Sequence, residues 1–175
     1  MGELIGIAAA SSPFDKALFE KGVEQIKKWG FDVFFREDIF SKERYLAGSD
    51  ERRAQELTEL IEHPKIKAVF FARGGYGSQR VLARLDFDRL QKTPKPLIGF
   101  SDLTPLLNFL NQKYRSPALY GPVVTQLGGT LSERTLEVLR WHLTQKKPHP
   151  PFDLNECVIL KEGKAEGKLA GGCLA

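Results

Sequence analysis

Ser101 stands in the run Gly99-Phe100-Ser101-Asp102, just after an apolar stretch and just before leucines at helical spacing. A hydroxyl placed where a strand becomes a helix sits at the rim of a sheet. There it lies beside unpaired N–H groups and the positive end of a helix dipole, where an oxyanion is stabilised. Gly99 lets the backbone turn tightly ahead of it. This is the logic of a nucleophile elbow, although in the usual G-x-S-x-G form a second glycine stands where this chain has Leu103. The competing reading is that Ser101 or Asp102 caps the following helix, the commonest task of Ser or Asp at such a junction. Side chains adjacent at a turn diverge, so Asp102 is assigned no role as a base. Its backbone N–H is the useful group, as an oxyanion donor after the nucleophile.

A second candidate is Arg73-Gly74-Gly75-Tyr76-Gly77, which follows the apolar run 67–72. Its closely spaced glycines allow the backbone to approach a ligand and present N–H groups as an anion cradle. The run lacks the G-K-[ST] ending of a P-loop and the G-x-G-x-x-G of a dinucleotide site, and a plain tight turn is the other reading. Arg73, at the strand end, suits a bidentate clamp on a carboxylate, or equally a solvated surface position. The histidines are His63, His142 and His149, and none has a carboxylate or cysteine partner at ligand spacing, so no metal site is expected. His63, before Pro64, reads as a dipole partner at the end of its helix.

The elements that position these residues alternate between strand and helix. Residues 4–10 form a strand stopped by Ser11-Ser12-Pro13. A helix follows with Phe14, Leu18, Ile26 and Trp29 on one face and Gly30 as breaker, and then a strand over 31–36. Residues 37–49 read as a polar loop with room for a helical turn. A helix over 50–63 is capped by Ser49 or Asp50, with Ala54, Leu57, Leu60 and Ile61 inward. Further elements are a strand at 67–72, a helix at 78–85, a loop through Asp86 and Pro94, a strand at 97–100, a helix from Leu103, a strand at 118–120 and a helix at 132–143 capped by Ser132. This pattern predicts an α/β fold: an open, mostly parallel sheet with helices on both faces, three-layered and flavodoxin- or Rossmann-like. The turns at 73–77 and 99–102 then share one crevice at the strands' carboxyl ends.

Residues 1–145 read as this domain, 146–152 as a proline-rich linker and 153–175 as the beginning of a further domain. Within the last part, 157–160 looks like a strand. Its apolar residues predict a tail that is poorly ordered or packed on a neighbouring chain. The net charge of +4 comes from 26 basic and 22 acidic residues with interleaved signs, which argues against a nucleic-acid stripe. No apolar run reaches membrane-spanning length, and the first apolar run lacks the basic flank of a signal peptide. Cys157 and Cys173 lack C-x-x-C spacing, so a cytoplasmic protein with reduced thiols is expected.

The motifs ARGGYG (72–77), PLIGFSDLTPLL (96–107), YGP (120–122) and GKAEGKLAGGCLA (163–175) occur in an order that resembles the serine LD-carboxypeptidases. That family includes muramoyltetrapeptide carboxypeptidases and microcin-immunity-type peptidases. The resemblance implies that Ser101 is the nucleophile, that the amides of Gly75 and Asp102 form the oxyanion hole, and that Arg73, Gly74 and Tyr76 lie at the substrate. It places the Glu and His of a Ser-His-Glu triad in a C-terminal domain outside these residues, so this chain alone is expected to be inactive. Cys173 stands where the family usually has asparagine. The implied reaction is release of terminal D-alanine from a cytoplasmic murein tetrapeptide during peptidoglycan recycling. The implied partner is a murein-derived peptide, with no cofactor, nucleic acid or membrane, and with a homodimer left open. From the residues alone the rival remains a non-catalytic, anion-binding α/β module.

Overall fold

The computed structural model describes residues 2–145, 157–167 and 170–173. The two most apolar runs become the centre of its sheet: β1 (Leu4–Ala8) and β3 (Ile66–Phe71) lie side by side, with Ala8 opposite Phe71. Strands this apolar need cover on both faces. With β2 (Asp32–Phe34), β4 (Leu97–Gly99) and β5 (Ala118–Tyr120) the order is β2-β1-β3-β4-β5, every pair parallel. This is the expected open α/β sheet in its flavodoxin-like order. Ligands of such sheets collect outside the carboxyl ends of β1 and β3, where the strand order reverses.

Helices α1 (Lys16–Lys28), α6 (Val124–Leu127) and α7 (Glu133–Thr144) cover one face, against Ile5, Ile7, Phe70 and Ile98. Helices α2 (Asp50–Glu62), α3 (Ser78–Leu82), α4 (Phe87–Leu90) and α5 (Thr104–Tyr114) cover the other, against Ala8, Val69, Phe71 and Leu97. The alternation follows the pleat, in which successive side chains point to opposite faces. Each large side chain sealed in this way, such as Phe19 or Phe70, contributes about 1.5–3 kcal/mol.

Several sequence expectations need correction. Asp15 caps α1 by accepting the Leu18 N–H, which fixes the helix phase so that Phe19, Val23 and Ile26 face inward and Leu18 is exposed. Phe14 lies before the cap and packs its ring, tilted by 31°, against Phe19 at 5.1 Å instead of joining the helical face. The loop around Asp86 contains α4, capped by that residue, and α6 follows β5 where no helix was expected. Residues 157–160 are not a strand; Val158, Ile159 and Leu160 are 83%, 74% and 94% exposed and join no ladder among the described residues. Nor does the tail depend on a neighbouring chain for all its contacts, because 171–173 hydrogen-bond to the chain's own α5 and β5. The linker at 146–152 lies outside the described residues. Among those residues no helix is long and apolar enough to cross a membrane.

Candidate functional site

β4 ends at Gly99, and the chain then makes a 3₁₀ turn over Ser101–Leu103 before α5 begins at Thr104, with Pro105 in its first turn. Ser101 is partly buried and has φ 60°, in the left-handed region that non-glycine residues rarely occupy. An N-cap has an extended backbone and a side chain that accepts from the helix. Ser101 has neither, and neither turn nor helix carries a side-chain cap, so the capping alternative is overturned. Asp102 is occupied elsewhere. Its Oδ2 accepts the Ser11 hydroxyl at 2.6 Å and the Ser78 N–H at 2.9 Å, while its carbonyl accepts the Ser78 hydroxyl. The carboxylate therefore staples together the turns that follow β1, β3 and β4.

The glycine turn lies against this staple. A Cβ on Gly74 would stand 3.0 Å from the Ser101 Cβ, so the two turns touch. Gly75 has φ 116°, and a side chain there would strike Ser12, whose hydroxyl accepts the Tyr76 N–H at 3.1 Å. Only glycine meets both conditions. Beneath the turn lies Arg53, wholly buried on α2, donating to the carbonyls of Ala10 at 2.6 Å and Gly77 at 2.9 Å and paired with Asp50. Asp50 also meets Arg80 and Arg84. Hydrogen bonding to Arg80 leads the effects that hold its carboxyl below the usual range, against the opposing pull of burial.

The structure thus brings Gly74, Gly75, Ser101 and Asp102 together where β3 and β4 end. Arg73 is exposed beside them and gives one donor to the Pro13 carbonyl at 2.6 Å, while Tyr76 is exposed with its ring edge-on to Tyr45. Among the histidines, His63 lies elsewhere. His63 ends α2 three residues before β3 begins, at the opposite edge of the sheet, where its ring stacks on Phe34 and its Nδ1 accepts the Lys65 N–H. That ring holds the turn that follows the end of α2. His142 lies along β5, lining pockets with Pro96 and Pro117 at one end and with Tyr120 and Gly171 at the other, and His149 is outside the described residues.

Sequence reasoning missed Ser11, Ser12, Arg53, Ser78, Thr104 and Tyr120 as parts of the site. Arg53 had a signal, since it falls on the same helical stripe as Leu57 and Leu60. Tyr120 ends β5 opposite Gly99, and its hydroxyl accepts the Ser101 N–H at 3.2 Å. Burial, then contact with Cys173, pushes its phenol up.

Residues 5–121 match the LD-carboxypeptidase N-terminal domain. The murein tetrapeptide carboxypeptidase of Pseudomonas aeruginosa is 38% identical over 125 residues, covering 71% of this chain and 40% of that protein. A probable murein peptide carboxypeptidase of Bacillus subtilis is 29% identical over 176 residues, covering 99% of this chain and 55% of that protein. The solved structure of the microcin C7 self-immunity protein MccF in complex with glutamyl sulfamoyl guanosine superposes with a TM-score of 0.78 at 29% identity, covering 93% of this chain and 54% of that one. The chain therefore spans about half the length of the curated relatives it matches. Since the matched span contains the whole parallel sheet, the glycine turn and the Ser101 turn, the chain belongs to the LD-carboxypeptidase family through that family's N-terminal domain.

Proposed function

We propose that Ser101 is the acyl-transfer nucleophile of a serine LD-carboxypeptidase, with the N–H groups of Gly75 and Asp102 receiving the oxyanion. The observation that carries this reading is the left-handed backbone of Ser101 at the sheet rim, packed on Gly74. Holding a serine there costs about 1–2 kcal/mol, and such strain persists where the surroundings over-determine it, typically at functional sites. The Gly75 N–H supports it too, having no partner among the described residues.

In the reaction the Ser101 Oγ attacks the carbonyl of an L,D-peptide bond while its proton passes to a base. The oxyanion collapses, the terminal D-amino acid leaves with that proton, and water hydrolyses the acyl-enzyme. Serine is a weak nucleophile without an adjacent base. The base is the Glu-supported His that the resemblance places in the family's C-terminal domain. The substrate is a cytoplasmic murein tetrapeptide that loses D-alanine; the names of the relatives support the murein peptide part of this reading. Arg73, with donors to spare beyond the one given to Pro13, meets a substrate carboxylate, and Gly74 and Tyr76 border its path. The glutamyl ligand of the MccF structure supports an acidic substrate.

The test compares the 175-residue chain, a longer chain that includes the family's C-terminal domain, and that longer chain carrying Ser101→Ala. Each is given L-Ala-D-Glu-meso-diaminopimelate-D-Ala and D-alanine release is followed. The longer chain is expected to turn over, Ser101→Ala to lose about 10⁴-fold or more, and the short chain to stay near the residual level of a triad-less hydrolase. Equal rates for the short and long chains, or an active Ser101→Ala, would overturn the assignment.

A further inference from the structure

Both backbone polar groups of Ser101 are held by side-chain hydroxyls, and each hydroxyl also holds Cys173. The Ser101 N–H donates to the Tyr120 hydroxyl at 3.2 Å, and that hydroxyl lies 3.1 Å from the Cys173 Sγ. On the other side, Thr104 Oγ1 donates to the Ser101 carbonyl at 2.6 Å and accepts the Cys173 N–H at 3.1 Å. The proton inventory is consistent: Thr104 gives its single proton to Ser101, and Tyr120 accepts from Ser101 with its own proton left for the sulfur. The four contacts close a ring.

The segment that completes the ring is itself seated. Asn108 grips Gly171 with both ends of its amide, Nδ2 donating to the carbonyl at 3.0 Å and Oδ1 accepting the N–H at 3.4 Å. Between these grips Gly172 passes so near Thr104 that a Cβ would stand 2.3 Å from its Cγ2. A residue in the left-handed region without a helix cap needs some external hold. Here it comes from Tyr120 and Thr104, which are met in turn by a stretch of chain about 70 residues beyond Thr104.

We propose that Tyr120 and Thr104 are positioning residues for Ser101, and that seating Gly171-Gly172-Cys173 on them locks the serine in its left-handed posture. This rests on the nucleophile reading above. The Ser101 N–H, spent on Tyr120, is unavailable to an oxyanion, which leaves that duty to Gly75 and Asp102. The segment around 171–173 is then more than a passage to later sequence: it finishes the support of the nucleophile. Displacing a reacting atom by 1 Å can cost about 10²-fold in rate, so a modest ring has a large kinetic reach.

The test uses the active longer chain with Tyr120→Phe, Thr104→Val, Thr104→Ser and Gly172→Ala. Tyr120→Phe and Thr104→Val should each lower kcat by about 10 to 100-fold with KM within about twofold. Together they should cost less than the product of their separate effects, because one ring is broken once. Thr104→Ser keeps the hydroxyl and should keep kcat, while Gly172→Ala breaks the ring from the tail and should lower it. Amide hydrogen exchange at Ser101, which needs no activity, should quicken in Tyr120→Phe. If Tyr120→Phe and Thr104→Val keep full kcat while Ser101→Ala is inactive, the positioning proposal falls and the nucleophile stands. An active Ser101→Ala would overturn both.

Discussion

The glycine turn after β3 and the serine turn after β4 touch at Gly74 and Ser101, yet they are held by different chemistry. The glycine turn hangs on a buried charge, the Arg53 guanidinium, which spans the Ala10 and Gly77 carbonyls and pairs with Asp50. The serine turn is stapled at Asp102 by a carboxylate, but around Ser101 itself it hangs on neutral hydroxyls near the surface, those of Tyr120 and Thr104. A buried charge stripped of its partner is severely penalised, whereas a neutral hydrogen bond nets about 0.5–1.5 kcal/mol. Substitutions under the first turn should therefore be read in stability, and substitutions around the second in rate.

The largest effect expected is at Arg53. Arg53→Met leaves Asp50 without its buried partner and two carbonyls without donors, and should cost about 3–5 kcal/mol in chemical or thermal denaturation. A cost under about 1 kcal/mol, no more than a hydroxyl deletion, would erase the contrast between the turns.

The same charge cluster should make stability depend on acid. Asp50 is held below the ordinary carboxylate range, so its folded pKa lies under its unfolded one. Its contribution is complete above the unfolded value of about 3.9 and is lost as pH falls through that value toward the folded one. Unfolding free energies of the native chain and Asp50→Asn should differ most near neutrality and converge below about pH 4. Salt should narrow the gap further, because Arg80 and Arg84 are half exposed. A gap that ignores pH would show that Asp50 acts by shape alone.

These properties were unequally legible in the sequence. The strands around Ile7 and Val69 were clear, because continuous apolar runs between turn residues have few other uses. The meeting of Gly74 with Ser101 followed from the rule that parallel strands end on one rim. The phase of α1 was not legible, since it turns on whether Asp15 or an earlier residue caps the helix. Arg53 shares a stripe with Leu57 and Leu60, but a charged side chain argues for solvent until its buried partner is seen. The hydroxyl ring was hidden for another reason. Its bonds join residues 3, 19, 53 and 69 positions apart, and no local pattern encodes the last two.

The smallest effect is the sharpest test of the contrast, because it reverses sign between the turns. At Gly75 a side chain would meet Ser12 and a φ of 116°, so Gly75→Ala should destabilise. At Ser101 a side chain already stands in the left-handed region, and removing it should relieve about 1–2 kcal/mol of strain. Ser101→Gly keeps the N–H and carbonyl that Tyr120 and Thr104 hold, and the hydroxyl it deletes makes no hydrogen bond among the described residues. Against that relief stands about 0.4–1 kcal/mol for the added freedom of glycine in the unfolded chain. The net expectation is a gain of about 0.5–1 kcal/mol by urea denaturation, together with loss of D-alanine release in the longer chain. A serine kept for chemistry at the expense of stability behaves in this way. One kept for the fold would make Ser101→Gly unfold more easily, and the difference between the two turns would then lie in their partners alone.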